Sequence, residues 1–238
     1  MRMRKKKNRE SRLAACTEFL LENITAPMEN PAETLGMQKN APVYLEIGAG
    51  KGGFACGMAT RHKDAAYFAM EKVTDCVVLA AEKARSVDGG VENLRFIIDT
   101  ADNLMKIFGT GTVDRIFLNF SDPWSKKGYA KRRLTHRRYL ALYFNLLKDG
   151  GKITFKTDNV GLFDFSLEEI SDMGITPDFV TRDLHNSERA EGNVMTEYET
   201  NFSSMGISIN MLEVTKPAGF NPVVNEEFTA EKKDYFKK

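Results

Sequence analysis

Acidic residues stand where a chain of alternating strands and helices would do chemistry. Glu46 lies at the end of the apolar run Val43–Ile47, just before Gly48-Ala49-Gly50-Lys51-Gly52-Gly53. Glycines there let the backbone turn tightly and approach a ligand without a Cβ in the way. The spacing Gly48-x-Gly50-x-x-Gly53 fits a dinucleotide turn, a weak signal by itself. It is not a Walker A loop, because Leu45 stands where that pattern needs glycine. Glu46 is more informative. A pyrophosphate seated at the turn would meet a fixed carboxylate in a partly dry cleft, and like charges repel strongly there. An ammonium group would be held instead. S-adenosylmethionine carries one on its amino-acid moiety, with a sulfonium charge beside it. The plain alternative for Glu46 is a structural salt bridge.

Glu71 follows the second apolar run, Ala66–Met70, about 25 residues further on, the place from which α/β nucleotide sites hold ribose hydroxyls. It supports a nucleoside cofactor without separating NAD from S-adenosylmethionine. A third run ends in Asp99-Thr100-Ala101-Asp102, where a side chain or backbone amide would meet an adenine. A fourth, Val113–Asn119, leads into Phe120-Ser121-Asp122-Pro123-Trp124-Ser125-Lys126-Lys127. Pro123 keeps Asp122 extended. The single tryptophan of the chain, between a carboxylate and a basic run, suits stacking or positioning at a site, although a lone Trp is often core.

These groups need elements to carry them. Val43–Ile47, Ala66–Met70, Leu94–Asp99, Val113–Asn119 and Ile153–Thr157 read as strands, with Ile207–Val214 as a late one. Helices are predicted over Leu13–Asn23, from Phe54, over Asp75–Arg85, Leu104–Phe108 and His136–Leu147, the last ended by Lys148-Asp149-Gly150-Gly151. Such alternation implies a parallel sheet with helices on both faces. The ligand crevice then lies at the carboxyl ends of the strands, where strand order reverses.

The chain has 238 residues, 42% apolar and 28% charged, which suits a soluble globular protein with a real core. No run approaches the ~20 apolar residues of a spanning helix. Glu18 and Glu22 break the apolar stretch behind the basic N-terminus, against a signal peptide. Cys16, Cys56 and Cys76 are scattered, as are His62, His136 and His185, so neither a disulfide framework nor a metal site is expected, and the compartment reads as cytoplasmic. A net charge of +1 conceals two basic clusters. One holds Arg2, Arg4, Lys5, Lys6, Lys7, Arg9 and Arg12; the other holds Lys126, Lys127, Lys131, Arg132, Arg133, Arg137 and Arg138. Either alone reads as a solvated face; together they favour a nucleic-acid partner. Residues 1–40 read as arm, helix and linker, 41–216 as the main domain and 217–238 as a tail.

With these motifs the chain resembles the bacterial tRNA (guanine-N7)-methyltransferases. The family pattern Leu-Glu-Ile-Gly-x-Gly-Lys-Gly is met at Leu45–Gly52, its Asp-Pro-Trp with trailing Lys-Arg-Arg at Asp122–Arg133, its Lys-Thr-Asp-Asn at Lys156–Asn159, and its Thr-x-Tyr-Glu at Thr196–Glu199. The likeness runs from the arm to about Val214. Ser125 replaces a usual proline, and Gly128-Tyr129 a common Arg-His pair. Thr100 stands where the family has the aspartate that contacts adenosine, leaving Asp99 or a backbone amide for that role. The resemblance implies the class I methyltransferase fold: a doubly wound, mostly parallel, Rossmann-like seven-stranded sheet with helices on both faces. It implies S-adenosylmethionine as cofactor, contacted by Glu46, Gly48, Gly50, Gly52, Glu71, Lys72, Asp99, Thr100, Asn119 and Asp122. Asp122 takes the catalytic role; Lys126, Asp158, Thr196, Tyr198 and Glu199 contact the substrate base, with the Asp158 and Glu199 carboxylates suited to the guanine N1–H and amine. Arg2, Arg4, Lys127, Lys131, Arg132 and Arg133 meet phosphates of tRNA, whose variable-loop guanosine is the implied target. Family members are monomers or homodimers.

Two other readings compete. An exocyclic-amine methyltransferase usually shows a second proline after Asp-Pro, where Trp124 stands. A non-catalytic RNA-binding protein would have no need of Glu46 and Glu71. A nicotinamide dehydrogenase is disfavoured by Glu46 and the basic run.

Overall fold

A computed structural model describes residues 8–224 of the chain. Arg2 and Arg4, expected on RNA phosphates, lie outside the described residues, as does most of the tail. Among the described residues seven strands form one sheet: β1 (Val43–Ile47), β2 (Ala66–Met70), β3 (Leu94–Ile97), β4 (Val113–Asn119), β5 (Leu147–Thr157), β6 (Phe179–Thr181) and β7 (Asn210–Thr215). Their order is β3-β2-β1-β4-β5-β7-β6. The first five strands run parallel, while β7 is antiparallel to both β5 and β6. The doubly wound expectation holds. From β1 the chain winds outward through β2 to β3, then returns to the other side of β1 as β4. The switch point therefore lies between β1 and β4.

Strand alternation divides the core. Leu45, Phe68, Ile116, Leu118 and Phe155 face one side, against α5 (Arg137–Leu146) and α6 (Val160–Asp172) through Leu140, Phe144, Leu162 and Phe163. Tyr67, Ala69, Phe96 and Phe117 face the other, against α2 (Gly53–Arg61) and α3 (Thr74–Arg85) through Phe54, Ala55, Ala59, Val77 and Ala81. The small residues let α2 and α3 sit close to the sheet. The Gly48–Gly53 turn is part of this packing. Gly52 has φ +74°, and a Cβ there would stand 2.7 Å from the Ala80 Cβ.

Several boundaries differ from the sequence reading. Instead of a helix over 13–23 there is a short α1 (Arg9–Ala14), a 3₁₀ turn at Thr17–Phe19, and an extended segment in which Leu20 bridges Phe96 and the Leu21 amide donates to the Phe96 carbonyl at 2.9 Å. The open edge of β3 offers hydrogen-bonding groups that outcompete helical propensity. The helix expected to end before Lys148–Gly151 does end there, at Leu146, and the segment already belongs to β5, which pairs with β4 from Val113 onward across a register shift. The third strand stops at Ile97, and the late strand begins at Asn210. The remaining described helices are α4 (Leu104–Ile107), read from the sequence, and α7 (Glu197–Ser204), which along with α6 and β6 was not. Leu21, Ile24, Met28 and Leu35 pack on the core of the sheet, as do Phe220 and Val224 at the other end. Among the described residues no helix is long and apolar enough to cross a membrane.

Gly52→Ala is expected to destabilise the protein by about 2–3 kcal/mol, from left-handed strain plus overpacking on Ala80. Urea denaturation measures this, with Gly50→Ala, whose Cβ would meet nothing within 4 Å, as the milder comparison.

Candidate active site

Glu46 near the end of β1 and Asn119 at the end of β4 meet across the switch point. Asn119 Nδ2 donates to Glu46 Oε1 at 3.0 Å. Glu46 is only 2% exposed. Its Oε2 and the Asn119 Oδ1 are both buried without a partner. Burial pushes the Glu46 carboxyl up to about 7, against the Asn119 hydrogen bond and the nearby Lys156 charge. Two unpaired buried acceptors, one ready to ionise, call for a cationic donor. An ammonium group supplies both donors and charge; a pyrophosphate supplies neither. The residues present therefore fit the amino-acid end of S-adenosylmethionine.

The glycine turn is set by the strand beside it. The Met70 carbonyl accepts from the Gly48 and Ala49 amides at 2.8 and 3.0 Å. Gly48 and Gly50 have φ +85° and +56°, a backbone that side chains rarely adopt. Glu71, buried just past β2, accepts from the Gly50 amide (3.1 Å) through Oε2 and from the Val73 amide (2.8 Å) through Oε1. It holds the turn to the exit of β2, and each oxygen keeps a second lone pair for a ribose hydroxyl. Lys72 beside it is exposed. Past β3, Asp99 Oδ1 accepts from the Thr100 amide (2.7 Å) and Asn103 Nδ2 (2.8 Å), while Thr100 Oγ1 reaches Asp102 at 3.4 Å. The Asp99 carboxylate thus shapes the loop, and the Thr100 hydroxyl turns to Asp102.

Asp122 is exposed on the loop after β4. The loop is held firmly. The Phe120 amide donates to the Lys156 carbonyl at 2.9 Å, and the Phe120 ring stacks on Phe202. Phe120 and Trp124 have φ +50° and +42°, unusual for bulky residues and maintained only where surroundings impose it. Arg133 imposes part of it: its guanidinium donates to the Pro123 carbonyl (2.9 Å) and the Trp124 carbonyl (3.1 Å) and packs over Phe165. Arg133 was expected on a phosphate; the structure engages it as the clamp of the Asp122 loop.

The substrate-side residues divide in the same way. Asp158 is half-buried after β5, and Lys126 is exposed. Tyr198 is 60% exposed. Thr196 caps α7, its Oγ accepting from the Glu199 amide at 2.9 Å and keeping its O–H and one lone pair. Glu199 departs from expectation. It is wholly buried, and its carboxylate accepts from Lys156 Nζ at 2.6 Å, from Asn193 Nδ2, and contacts His185 Nε2 at 2.9 Å. Burial pushes its carboxyl up, but Lys156 and these hydrogen bonds outweigh that and bring it below the ordinary range. Bonded on both oxygens and wholly enclosed, such a carboxylate presents no exposed face to a guanine. It anchors the 193–199 segment to β5, because Lys156 also donates to Asn193 Oδ1 and the Val194 carbonyl, each at 3.0 Å.

Sequence reasoning missed this anchor. Its signal was present: Lys156 lies inside an apolar strand, where a lysine needs a counter-ion. It also missed Glu197, which pairs with Lys83 of α3 and lies against Gly53 and Val194 against Gly57, at the bare face of α2. The segment that carries Thr196 therefore rests on the helix that begins at the glycine turn.

The model of a family described as putative methyltransferase matches residues 40–212. A Bacillus subtilis (strain 168) protein named tRNA (guanine-N(7)-)-methyltransferase is 42% identical over 202 residues, 83% of this chain and 93% of that one. A Bacillus cytotoxicus protein of the same name is 40% identical over 213 residues, 90% of this chain and 96% of its own. The chain belongs to the tRNA (guanine-N7)-methyltransferase family. Among solved structures, the 16S rRNA methyltransferase KamB has a TM-score of 0.59 at 13% identity, over 78% of this chain and 92% of its own. At that identity the likeness shows the fold shared by the family, a class I methyltransferase sheet.

Glu199→Ala leaves the Lys156 ammonium buried and unpaired, so it is expected to lower stability by about 3–5 kcal/mol. Tyr198→Ala, at an exposed position next door, is expected to stay within about 0.5 kcal/mol. Denaturant unfolding of the two variants compares them, and equal stability would return Glu199 to a substrate-facing role.

Proposed function

We infer that this protein transfers a methyl group from S-adenosylmethionine to N7 of a guanine in tRNA. Its relatives carry that name, and one feature of the site supports it most: the cation-seeking pair Glu46–Asn119 and the exposed Asp122 are separated along the chain by Phe120 and Ser121 alone. Donor and acceptor of the methyl are thereby brought to the same strand exit. The target read from the motifs is the guanosine of the tRNA variable loop, with Lys126 and Asp158 at the base, Lys127 and Lys131 at phosphates, and the work done in the cytoplasm.

S-adenosylmethionine supplies an electrophilic methyl on a sulfonium. The chain supplies position and charge. Glu46 and Asn119 hold the ammonium, Glu71 receives the ribose, and the backbone of the Gly48–Gly52 turn lets the ligand lie close. Guanine N7 carries a lone pair and no proton, so no group is needed to remove one. Holding N7 in line with the methyl provides several kcal/mol of the barrier reduction. Methylation makes the purine cationic, so a carboxylate at Asp122 is favoured more as the charge develops than before it. The same carboxylate accepts from the guanine N1–H or amine, which adenine does not present.

Incubation with labelled S-adenosylmethionine and an unmodified tRNA transcript, then nucleoside digestion, tests the reading. 7-Methylguanosine is the expected product; an N-methylated exocyclic amine would replace it with the competing mechanism. Asp122→Ala is expected to reduce kcat at least about 100-fold with tRNA affinity nearly intact. A second measurement concerns the cofactor. With its carboxyl raised to about 7, Glu46 is partly protonated near neutrality in the free protein, and an ammonium ligand binds the ionised form. Binding thus releases a proton below about pH 7, and affinity tightens as pH rises through that value. Calorimetry in buffers of different ionisation enthalpy reads the release, which Glu46→Gln is expected to abolish.

A further inference from the structure

The loop that presents Asp122 carries a second feature that the chemistry at N7 does not use. Trp124 and Tyr129 meet edge to face with ring centroids 5.9 Å apart. Arg132 lies over both, 4.9 Å from the Trp124 centroid and 4.6 Å from that of Tyr129. Trp124 is fixed from behind by the Arg133 clamp on its carbonyl. Tyr129 is braced on this pair yet 40% exposed. Gly128 beside it borders open space, since a Cβ there would meet nothing within 4 Å. Lys126, Lys127 and Lys131, in the same short segment of chain, are exposed.

We propose that the exposed ring of Tyr129, braced by Arg132 and Trp124, is a stacking site for an unpaired nucleobase of the RNA, adjacent to the base that Asp122 receives. The proposal deepens the tRNA reading above and rests on it. An aromatic ring within a cationic rim is the chemistry of single-stranded nucleic acid: the rim follows the phosphates and the ring takes a base face. A protein partner would be met by apolar neighbours, and here the ring's exposed neighbours along the chain are lysines. Arg132, expected on a phosphate, directs its planar cation onto two π faces instead. It stiffens the platform, and the ring loses little conformational freedom when a base settles on it. Stacking tolerates any base, so Tyr129 contributes affinity and orientation while the target guanine is selected at Asp122.

Charge and stacking separate experimentally through salt. Binding of a tRNA transcript is followed by quenching of Trp124, the single tryptophan, with KM and kcat measured at several salt concentrations. Tyr129→Ala is expected to weaken tRNA binding and raise KM about 10-fold, the loss of one stacked base, while the slope of log affinity against log salt keeps its wild-type value. Tyr129→Phe, which keeps the ring, is expected within about twofold of wild type. Lys127→Gln, by contrast, makes the slope shallower by about 1. Cofactor affinity of Tyr129→Ala, read by calorimetry, remains that of the wild type. Wild-type tRNA affinity in Tyr129→Ala overturns the proposal, as does a shallower salt slope in that variant or a Phe variant as weak as the Ala one. A single-stranded oligoribonucleotide serves as a second probe. If wild-type enzyme modifies no tRNA but Tyr129→Ala still loses oligonucleotide binding, the stacking site stands and the function reading falls.

Discussion

A carboxylate buried at the switch point of the sheet, with one oxygen bonded to Asn119 and the other unpaired, is the constraint around which this protein is arranged. Burying an acid without full satisfaction is unfavourable, by roughly 1–3 kcal/mol for an unmade hydrogen bond. The sheet nevertheless places Glu46 there from β1 and Asn119 from β4, the two strands between which the winding direction reverses. That reversal opens a crevice at the strand ends, because the connections leave in opposite directions. The charge preference of the crevice follows from what lines it: acceptors with no donor, and a carboxyl held near neutrality in its absence.

The second buried acid solves the same problem differently. Glu199 is paired on both oxygens, to Lys156, Asn193 and His185. Lys156 is one strand over from Asn119 in register, and its amine also lies 5.0 Å from the Phe54 ring centroid in the first turn of α2. One ammonium therefore ties β5, α2 and the segment before α7 together, and its field lowers the Glu46 carboxyl as well. Breaking such a pair is far more damaging than its net contribution to folding suggests. The anchor gives the protein a fixed distance between the glycine turn and the residues beside Thr196, which a surface ion pair such as Lys83–Glu197 could not secure alone.

Much of this could be read along the chain, and the unread parts share a cause. Val43–Ile47, Ala66–Met70 and Val113–Asn119 are short runs rich in β-branched, aromatic and other apolar residues, and their strands were legible to the residue. Glu46 and Glu71 were legible because a strand end followed by a glycine turn has few other uses. The helix expected over 13–23 was not formed, because an edge of β3 that no local pattern announces captured Leu20 and Leu21. Glu199 and Arg133 carry charges that spacing assigns to ligands. Only three-dimensional packing shows them spent inside, one on Lys156 and the other on the carbonyls of Pro123 and Trp124. Charge type is visible in a sequence; whether a charge is already matched is not.

The two acids proposed to act on the cofactor and the base then differ by environment and not by chemistry. Glu46 is enclosed, so its charge is costly alone and acts strongly on a cation that shares the enclosure. Asp122, a few residues past Asn119, is exposed and held at the end of a clamped loop. Water screens it until a base covers it. A planar base laid on that loop would exclude the water, strengthening the carboxylate's effect only once substrate is in place. The strained backbone at Phe120 and Trp124 belongs to this arrangement. The positive φ at Phe120 turns the chain directly after β4, and two residues on Asp122 is exposed, where a large polyanion can reach it. Were Asp122 enclosed beside Glu46, two carboxylates in one dry pocket would each suppress the ionisation of the other.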